Sequence, residues 1–92
     1  FNTESEAIEL ANDTSYGLGA RVVSEDKVKA ERVGLQIDAG TISINLDSRF
    51  SPADPFGGYK NSGMGRERGI AGLRELCQIK VVQINTDSLI SA

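Results

Sequence analysis

The chain has 92 residues and a formal net charge of −3, and its isoelectric point is close to 4.8. Mild acidity without a block of like charges argues against nucleic acid and against an anionic membrane as partners. No apolar run approaches the roughly 18 residues that a membrane span requires, and a single cysteine rules out an internal disulfide framework. These averages are typical of one small cytoplasmic domain or of a piece of a larger protein.

The first quarter of the chain predicts a helix followed by a strand. Thr3 and Glu6 have the spacing of a capping box, in which the hydroxyl and the carboxylate each accept a backbone N–H at the start of a helix. A helix is therefore expected over residues 4–11, ended by the short polar side chains that follow. Residues 16–23 are β-leaning after their glycines and predict a strand.

A second helix and a second strand are predicted next. The acidic and hydroxyl side chains of residues 24–26 suit a helix N-terminus. Gly34 costs about 1 kcal/mol in a helix relative to alanine, so we expect it to allow close packing against a neighbour. Residues 41–45, with two isoleucines on one side, predict the strand. The residues on one face of the helix are Ala30, Val33, Gly34 and Ile37.

The second half of the chain combines a long loop with a final helix and strand. Residues 46–68 contain both prolines and four glycines, and a loop this long in a compact domain is usually functional or disordered. Residues 69–79 predict a third helix, with Cys77 as a small buried hydrophobe on its apolar face. Residues 81–84 predict a closing strand. The order of elements predicts an α/β fold, although three short helices and three short strands are few for an independent doubly wound domain.

The loop contains a glycine-rich segment whose glycines permit positive φ and close approach of the backbone to a neighbour. A phosphate-binding P-loop would need Lys and Ser or Thr where Met64 and Gly65 stand, and a dinucleotide fingerprint would need glycine in place of Arg68. The segment therefore matches neither phosphate motif. Its sequence is Pro55-Phe56-Gly57-Gly58-Tyr59-Lys60-Asn61-Ser62-Gly63-Met64-Gly65-Arg66-Glu67.

This segment resembles, position by position, the Pro-Phe-Gly-Gly-x-Lys-x-Ser-Gly-x-Gly-Arg-Glu motif of the aldehyde dehydrogenase superfamily. Residues 6–18, 39–45 and 72–81 are similar to further stretches of the same family, in the same order. Four motifs in register are far more specific than one. The resemblance implies an α/β fold in which residues 1–80 are the C-terminal part of the catalytic domain and residues 81–92 are a closing oligomerisation strand and tail.

The resemblance also implies an activity, the oxidation of an aldehyde to a carboxylic acid with NAD or NADP through a cysteine thiohemiacetal. In this family the catalytic cysteine, the general base and the dinucleotide-binding region all precede the part matched here. The chain also begins at Phe1 and not at a methionine. We therefore expect a fragment that is inactive alone.

Three positions carry a functional prediction for their side chains. By resemblance, Phe50 and Phe56 line the aldehyde tunnel, where aromatic walls suit an apolar substrate and exclude water; the alternative is that both only anchor the loop. Glu67 matches a glutamate assigned to a catalytic proton relay in some family members. A relay glutamate must be partly buried, whereas a structural ion pair or a helix N-terminal acid would explain Glu67 equally well.

Two further positions carry a prediction for the backbone. Lys60 and Gly63 match residues whose carbonyl oxygens hold a potassium ion at a subunit interface in the betaine aldehyde branch. The Lys60 side chain is expected to be a solvated charge or an ion-pair partner. Arg66 resembles an arginine that anchors the last helix and the dimer contact, but its usual glutamate partner is replaced by Gln78, which forgoes about 1 kcal/mol of charge assistance.

Two functions from different classes remain open. The first is part of an aldehyde dehydrogenase, with a small-molecule aldehyde, the rest of the enzyme chain and, through the closing strand, a homo-oligomer as partners. The second is a free-standing association module without catalysis. In isolation the chain is expected to self-associate or to be partly unfolded, because its apolar faces and sheet edge lack partners.

Overall fold

Short helices and strands alternate in the computed structural model, which describes residues 1–47 and 51–86. The predicted α/β order is confirmed for all three helices and for the strand after the second helix, although the third helix ends at Glu75 and not at residue 79. In three places the prediction is wrong: the first strand divides in two, the loop contains a short strand, and the described residues lack the closing strand. The elements are α1 (Glu4–Asn12), β1 (Tyr16–Gly17), β2 (Gly19–Val22), α2 (Lys27–Gly34), β3 (Thr41–Ile44), β4 (Tyr59–Lys60) and α3 (Gly69–Glu75).

The N-terminus of α1 is capped much as predicted. Thr3 Oγ1 accepts the backbone N–H of Glu6 at 3.2 Å, and the Glu6 carboxylate accepts the N–H of Asn2 at 2.9 Å. The carboxylate thus reaches one residue further back than in a reciprocal capping box. Arg32 of α2 also holds α1, because its guanidinium donates two hydrogen bonds of 2.9 Å to the Glu4 carboxylate.

A strand–helix–strand unit, β2–α2–β3, forms the centre of the chain. β2 and β3 pair in parallel, with Gly19 opposite Thr41 at one end, and α2 provides the crossover that parallel strands require. A Cβ built on Gly34 would lie 3.0 Å from the Ile42 side chain and 3.2 Å from that of Ile44. Gly34 therefore allows α2 to pack directly on β3, which confirms the role predicted for this glycine.

β1 pairs with β4 of the glycine-rich segment and not with the central strands. Tyr16 lies opposite Lys60, and Gly17 lies opposite Tyr59, in an antiparallel pair. The two-stranded sheets β1–β4 and β2–β3 are separate. The stretch predicted as one strand therefore divides because its two halves bond to different neighbours, which local sequence cannot show.

The core of the chain is small. Apart from glycines, the buried residues of the described part are Ala30, Ala39 and Ser43. The chain exposes 7784 Å², whereas a self-contained monomer of this mass exposes about 5,200 Å², an excess of roughly 2,600 Å². That excess is surface that an independent domain would bury.

The C-terminal residues are the most exposed part of the described chain. Ile70, Leu73 and Leu76 are 70%, 65% and 86% exposed, so the apolar face of α3 has no cover. Residues 81–86 form neither helix nor strand. The closing strand predicted for residues 81–84 is not formed here because a strand exists by pairing, and no described strand lies beside it.

Within the part of the chain that the structure describes, no helix combines the length and the apolar character that crossing a bilayer requires.

Candidate functional site

An open cavity of about 750 Å³ lies between the β2–β3 pair and the chain that leads into the glycine-rich segment. A cavity of this size suits a small organic molecule. Its lining combines apolar and charged side chains. The apolar ones include Leu18, Ile42, Pro55 and Phe56, and the charged ones are Arg21, Asp54 and Arg68.

Phe56 is held in the cavity wall by its backbone. Phe56 and Glu67 exchange two hydrogen bonds of 2.8 Å, the N–H of each donating to the carbonyl of the other. The Phe56 ring is half-buried, and the guanidinium carbon of Arg68 lies 5.1 Å from the ring centroid, within the range of a cation–π contact. The structure thus places Phe56 on a cavity wall, while its contact with substrate stays a prediction.

The glycine-rich segment lies against the backbone of the central unit. Ser62 Oγ accepts the backbone N–H of Gly17 at 2.9 Å. A Cβ built on Gly40 would overlap the carbonyl oxygen of Gly57, so only glycine permits this approach. The glycines of the segment therefore serve chain-to-chain packing, in agreement with the exclusion of a phosphate-binding motif.

Lys60 stabilises the end of α1. Its ammonium group donates to the carbonyl oxygens of Asn12 at 2.9 Å and Thr14 at 3.2 Å. α1 has no basic residue in its last turn, and a helix C-terminus attracts a cation to its unpaired carbonyls. The side chain is exposed, as predicted for a solvated charge, but the prediction missed that two backbone carbonyls hold it in place.

The Lys60–Gly63 turn contains the carbonyls for which a potassium ion is predicted. The Lys60 carbonyl accepts a long hydrogen bond of 3.4 Å from the Gly63 N–H. Lys60 has a φ of 53° and Gly63 a φ of 128°. In residues 1–47 and 51–86, no group of three or more His, Cys, Asp or Glu side chains is placed to bind a metal, so backbone carbonyls are the relevant ligands. The potassium site stays a prediction.

Arg66 stabilises the segment that contains it. Its guanidinium donates to the carbonyls of Gly58 at 3.1 Å and Gly65 at 2.7 Å, and it lies 5.7 Å from the centroid of the Tyr59 ring. Backbone carbonyls accept these hydrogen bonds, which do not depend on the side chain at position 78. Within this chain Arg66 anchors the loop, and its contact with the last helix stays a prediction.

Glu67 is placed by its backbone, but its carboxylate is open to solvent. The side chain is 67% exposed and lies 3.8 Å from the guanidinium of Arg68. This distance is at the long end for an ion pair, and exposed pairs contribute little to stability. The geometry agrees with the structural ion-pair interpretation. The partial burial that a relay requires is not provided by the described residues.

Phe50 and Cys77 are the remaining positions for which the sequence made a prediction. Phe50 lies outside the described residues, so its predicted place in the aldehyde tunnel stays a prediction. Cys77 lies beyond the end of α3 and is exposed, and its thiol donates to the Leu73 carbonyl of that helix at 3.5 Å. The expectation of a buried thiol is therefore wrong for this chain, because no described element covers the apolar face of α3.

Comparison with known proteins decides the family. The family model described as the aldehyde dehydrogenase family matches residues 1–82. The chain belongs to the aldehyde dehydrogenase family. Among its relatives, the betaine aldehyde dehydrogenase of Bacillus subtilis (strain 168) is 49% identical over 86 residues, which are 94% of this chain and 18% of that protein.

Solved aldehyde dehydrogenases share the fold of this chain. The betaine aldehyde dehydrogenase of Staphylococcus aureus in complex with NAD+ is 51% identical with a TM-score of 0.78, covering 82% of this chain and 15% of that one. A Mycobacterium tuberculosis aldehyde dehydrogenase complexed with NAD+ is 47% identical with a TM-score of 0.77 and the same coverage. The chain thus spans 15–18% of the length of these aldehyde dehydrogenases.

The sequence analysis of this aldehyde dehydrogenase chain missed Arg68 as a residue of the site. Arg68 lines the cavity and lies over the Phe56 ring. Arg68 directly follows the last residue of the family motif, and this position was the only feature of the sequence that could have indicated a place in the site. The contact exists because the Phe56–Glu67 pairing brings the two ends of the glycine-rich segment together.

Proposed function

We propose that this chain is the C-terminal part of an enzyme that oxidises an aldehyde to a carboxylic acid with NAD+, and that it supplies a wall of the aldehyde site and an assembly surface. The observation that carries the proposal is the position of Phe56, fixed by Glu67 in the wall of a cavity of about 750 Å³. A fixed aromatic wall suits the apolar part of an aldehyde and excludes water from the reacting carbon. Two similar structures are NAD+ complexes, which favours NAD over NADP.

The covalent step requires a thiol outside this chain. A thiolate adds to the aldehyde carbon to form a thiohemiacetal; loss of a hydride gives a thioester, and water releases the acid. NAD+, bound elsewhere in the enzyme, accepts the hydride. Cys77 does not suit the role of nucleophile, because it is not among the described residues of the cavity wall and its thiol donates to the Leu73 carbonyl.

Glu67 is proposed as a relay carboxylate that acts only when the rest of the enzyme covers it. Its backbone is fixed beside the cavity wall, while its side chain is free to meet a group from outside the chain. Burial by that group would favour the protonated form and so allow proton transfer. The ion pair with Arg68 would then have to open.

The carbonyl oxygens of Lys60 and Gly63 are proposed as ligands of a potassium ion. A carbonyl has two lone pairs, and the Lys60 carbonyl uses one of them in a hydrogen bond of 3.4 Å. Carbonyl oxygens are hard ligands of the kind that such a cation prefers. The remaining ligands would come from another part of the enzyme or from another subunit.

We further propose that residues 81–84 pair with a strand outside this chain, and that this pairing contributes to a homo-oligomer. These residues are exposed and largely apolar, and the excess exposed surface of roughly 2,600 Å² exceeds the roughly 800 Å² per partner of a standard interface. The rest of the enzyme and a second copy would share that surface. A free-standing association module is not favoured, because the family match includes the cavity wall as well as the closing residues.

The first experiment compares the isolated chain with the assembled enzyme, which we define as this chain in its natural reading frame with all upstream coding sequence. We expect the assembled enzyme to form NADH from NAD+ and an aldehyde, with betaine aldehyde as one substrate to test, and the isolated chain to form none. Turnover by the isolated chain, or a reading frame that opens near Phe1, overturns the proposal.

The second experiment tests the contribution of Phe56 to the wall of the aldehyde site. Phe56→Ala in the assembled enzyme is expected to lower kcat/KM for an apolar aldehyde by about tenfold to a hundredfold, because an apolar contact to the substrate is lost. The matched control is Phe1→Ala, since Phe1 is 84% exposed. An unchanged kcat/KM in the Phe56 variant would show that this ring only anchors the loop.

A further inference from the structure

We propose that Arg68 sets the charge preference of the aldehyde site, so that the enzyme disfavours aldehydes with a quaternary ammonium group and favours uncharged aldehydes of the same shape. The inference rests on the proposed function, because it assumes that the aldehyde occupies the cavity that Phe56 lines. It assigns to Arg68 a role in specificity that the family motif does not contain.

The contact between Arg68 and Phe56 carries the proposal. A quaternary ammonium group binds to protein chiefly through the faces of aromatic rings. In this chain the guanidinium carbon of Arg68 already lies 5.1 Å from the Phe56 centroid, and both residues line the same cavity. A cationic substrate at this ring would lose part of its aromatic contact and would meet a like charge at short range.

The other charged groups of the cavity do not remove this effect. Arg21 forms an ion pair of 2.8 Å with Asp47, so its charge is largely balanced. The carboxylate of Glu67 lies 3.8 Å from Arg68 and is mainly in solvent, whereas the Arg68 guanidinium lies over the Phe56 ring. Among the described lining residues, Asp54 is the carboxylate that would attract a cation, but it is Arg68 that lies against the aromatic face to which a quaternary ammonium group would bind.

The backbone at Arg68 provides independent support. Arg68 has φ 65° and ψ 161°, a conformation that strongly favours glycine. It occupies the N-cap position of α3 but makes no side-chain capping hydrogen bond there. The local backbone alone would favour glycine here, and the arginine side chain that stands at this position contacts the Phe56 ring.

The experiment measures substrate preference in the assembled enzyme with two aldehydes of matched shape. Betaine aldehyde carries a trimethylammonium group, and 3,3-dimethylbutanal carries the uncharged carbon analogue. We expect the unaltered enzyme to have the higher kcat/KM for the uncharged aldehyde. Arg68→Gly, which suits the positive φ and should therefore fold, is expected to raise the ratio of cationic to uncharged kcat/KM by about tenfold.

Two further variants complete the test. Arg68→Lys keeps the charge and is expected to keep most of the preference for the uncharged aldehyde. Arg74→Ala removes an arginine that does not line the cavity and is expected to leave the ratio unchanged. An unchanged ratio in Arg68→Gly, or a preference of the unaltered enzyme for betaine aldehyde, overturns the inference. Activity on neither aldehyde nor any other would instead count against the proposed function.

Discussion

Two regions of the chain differ in where their partners lie. The body, residues 1–47 and 51–69, contains the four strands and two longer helices, and its elements pack on one another within the chain: α2 packs on β3, and the glycine-rich segment lies on β1. The C-terminal segment, residues 70–86, has apolar side chains such as Leu76 and Ile79 that are 86% and 96% exposed. An apolar pattern in sequence thus indicates that a face is covered, but not whether the same chain covers it.

The difference also has an energetic consequence. A large apolar side chain contributes about 1.5–3 kcal/mol when it is fully buried. The C-terminal segment gains little of this within the chain, whereas the cost of fixing its backbone is the same as elsewhere. We therefore expect the C-terminal segment to adopt a fixed conformation only when the rest of the enzyme covers it. The conformation of the body should depend on the contacts within the chain described above.

The largest expected effect concerns the body. Gly40→Ala places a methyl group on the Gly57 carbonyl oxygen, and the backbones must separate, so we expect a loss of about 2–3 kcal/mol in the free energy of unfolding. Gly19→Ala is the matched control, since its Cβ would meet its nearest atom, the Thr41 carbonyl oxygen, at an ordinary 3.6 Å. Urea unfolding followed by circular dichroism measures both. Equal midpoints for the two variants would show that the glycine-rich segment does not depend on this contact.

Sequence predicted the parts of this fold that local chemistry decides. The Thr3 cap, the packing of Gly34 and the strand at residues 41–45 depend on neighbours a few residues apart or on a simple period, and all three are confirmed. The split of residues 16–23 could not be predicted, because it depends on pairing with a segment some forty residues later.

The candidate site was predictable in part for the same reason. Phe56 was found through a family motif, and the structure places it on a cavity wall. The contacts of Lys60 and Arg68 were missed, because each depends on the closing of the glycine-rich segment on the body and not on the residues beside it. Cys77 was assigned to a buried face because a helical period shows that a face is apolar, not that a partner is present.

The next largest effect tests the C-terminal segment through its thiol. Cys77 is exposed, so in the isolated chain it should react with a small disulfide reagent at a rate close to that of an unfolded peptide. In the assembled enzyme the apolar face of α3 should be covered, and the thiol should then react only when that cover opens locally. We expect this protection to slow the reaction by at least about tenfold. The denatured chain is the control for intrinsic reactivity. Equal rates in both native forms would show that assembly leaves this face open.

A smaller effect concerns Lys60, which joins the glycine-rich segment to α1. Lys60→Met removes two hydrogen bonds to the carbonyls of Asn12 and Thr14, and we expect a loss of about 1 kcal/mol because the site is exposed to solvent. Lys80→Met is the matched control, an exposed lysine in the C-terminal segment, with an expected change within about 0.5 kcal/mol. Urea unfolding again provides the measurement. A similar small change in both variants would contradict the capping role of Lys60.

The smallest effect concerns the ion pair between α1 and α2. The hydrogen bond from Arg32, and to a lesser extent its charge, lowers the pKa of Glu4 below the ordinary value of 4.5. Because folding favours the ionised carboxylate, the pair stabilises the chain above the ordinary pKa, and this contribution is lost as the pH falls through the lowered one. Arg32 is exposed and Glu4 is half-buried, with 31% of its side chain exposed, so solvent screens the pair and the change in stability should be small.

An NMR titration of the Glu4 carboxyl tests this ion pair directly. Arg32→Met should return the pKa of Glu4 towards 4.5, whereas Lys29→Met should shift it less, because Lys29 acts on this carboxyl only through its charge. The two variants each remove one positive charge from α2, so a difference between them measures the hydrogen bond and not the charge alone. Equal shifts would mean that α1 is held by general attraction to a basic helix face. In that case the position of α1 would depend on its cap and on Lys60, and not on the pairing of Glu4 with Arg32.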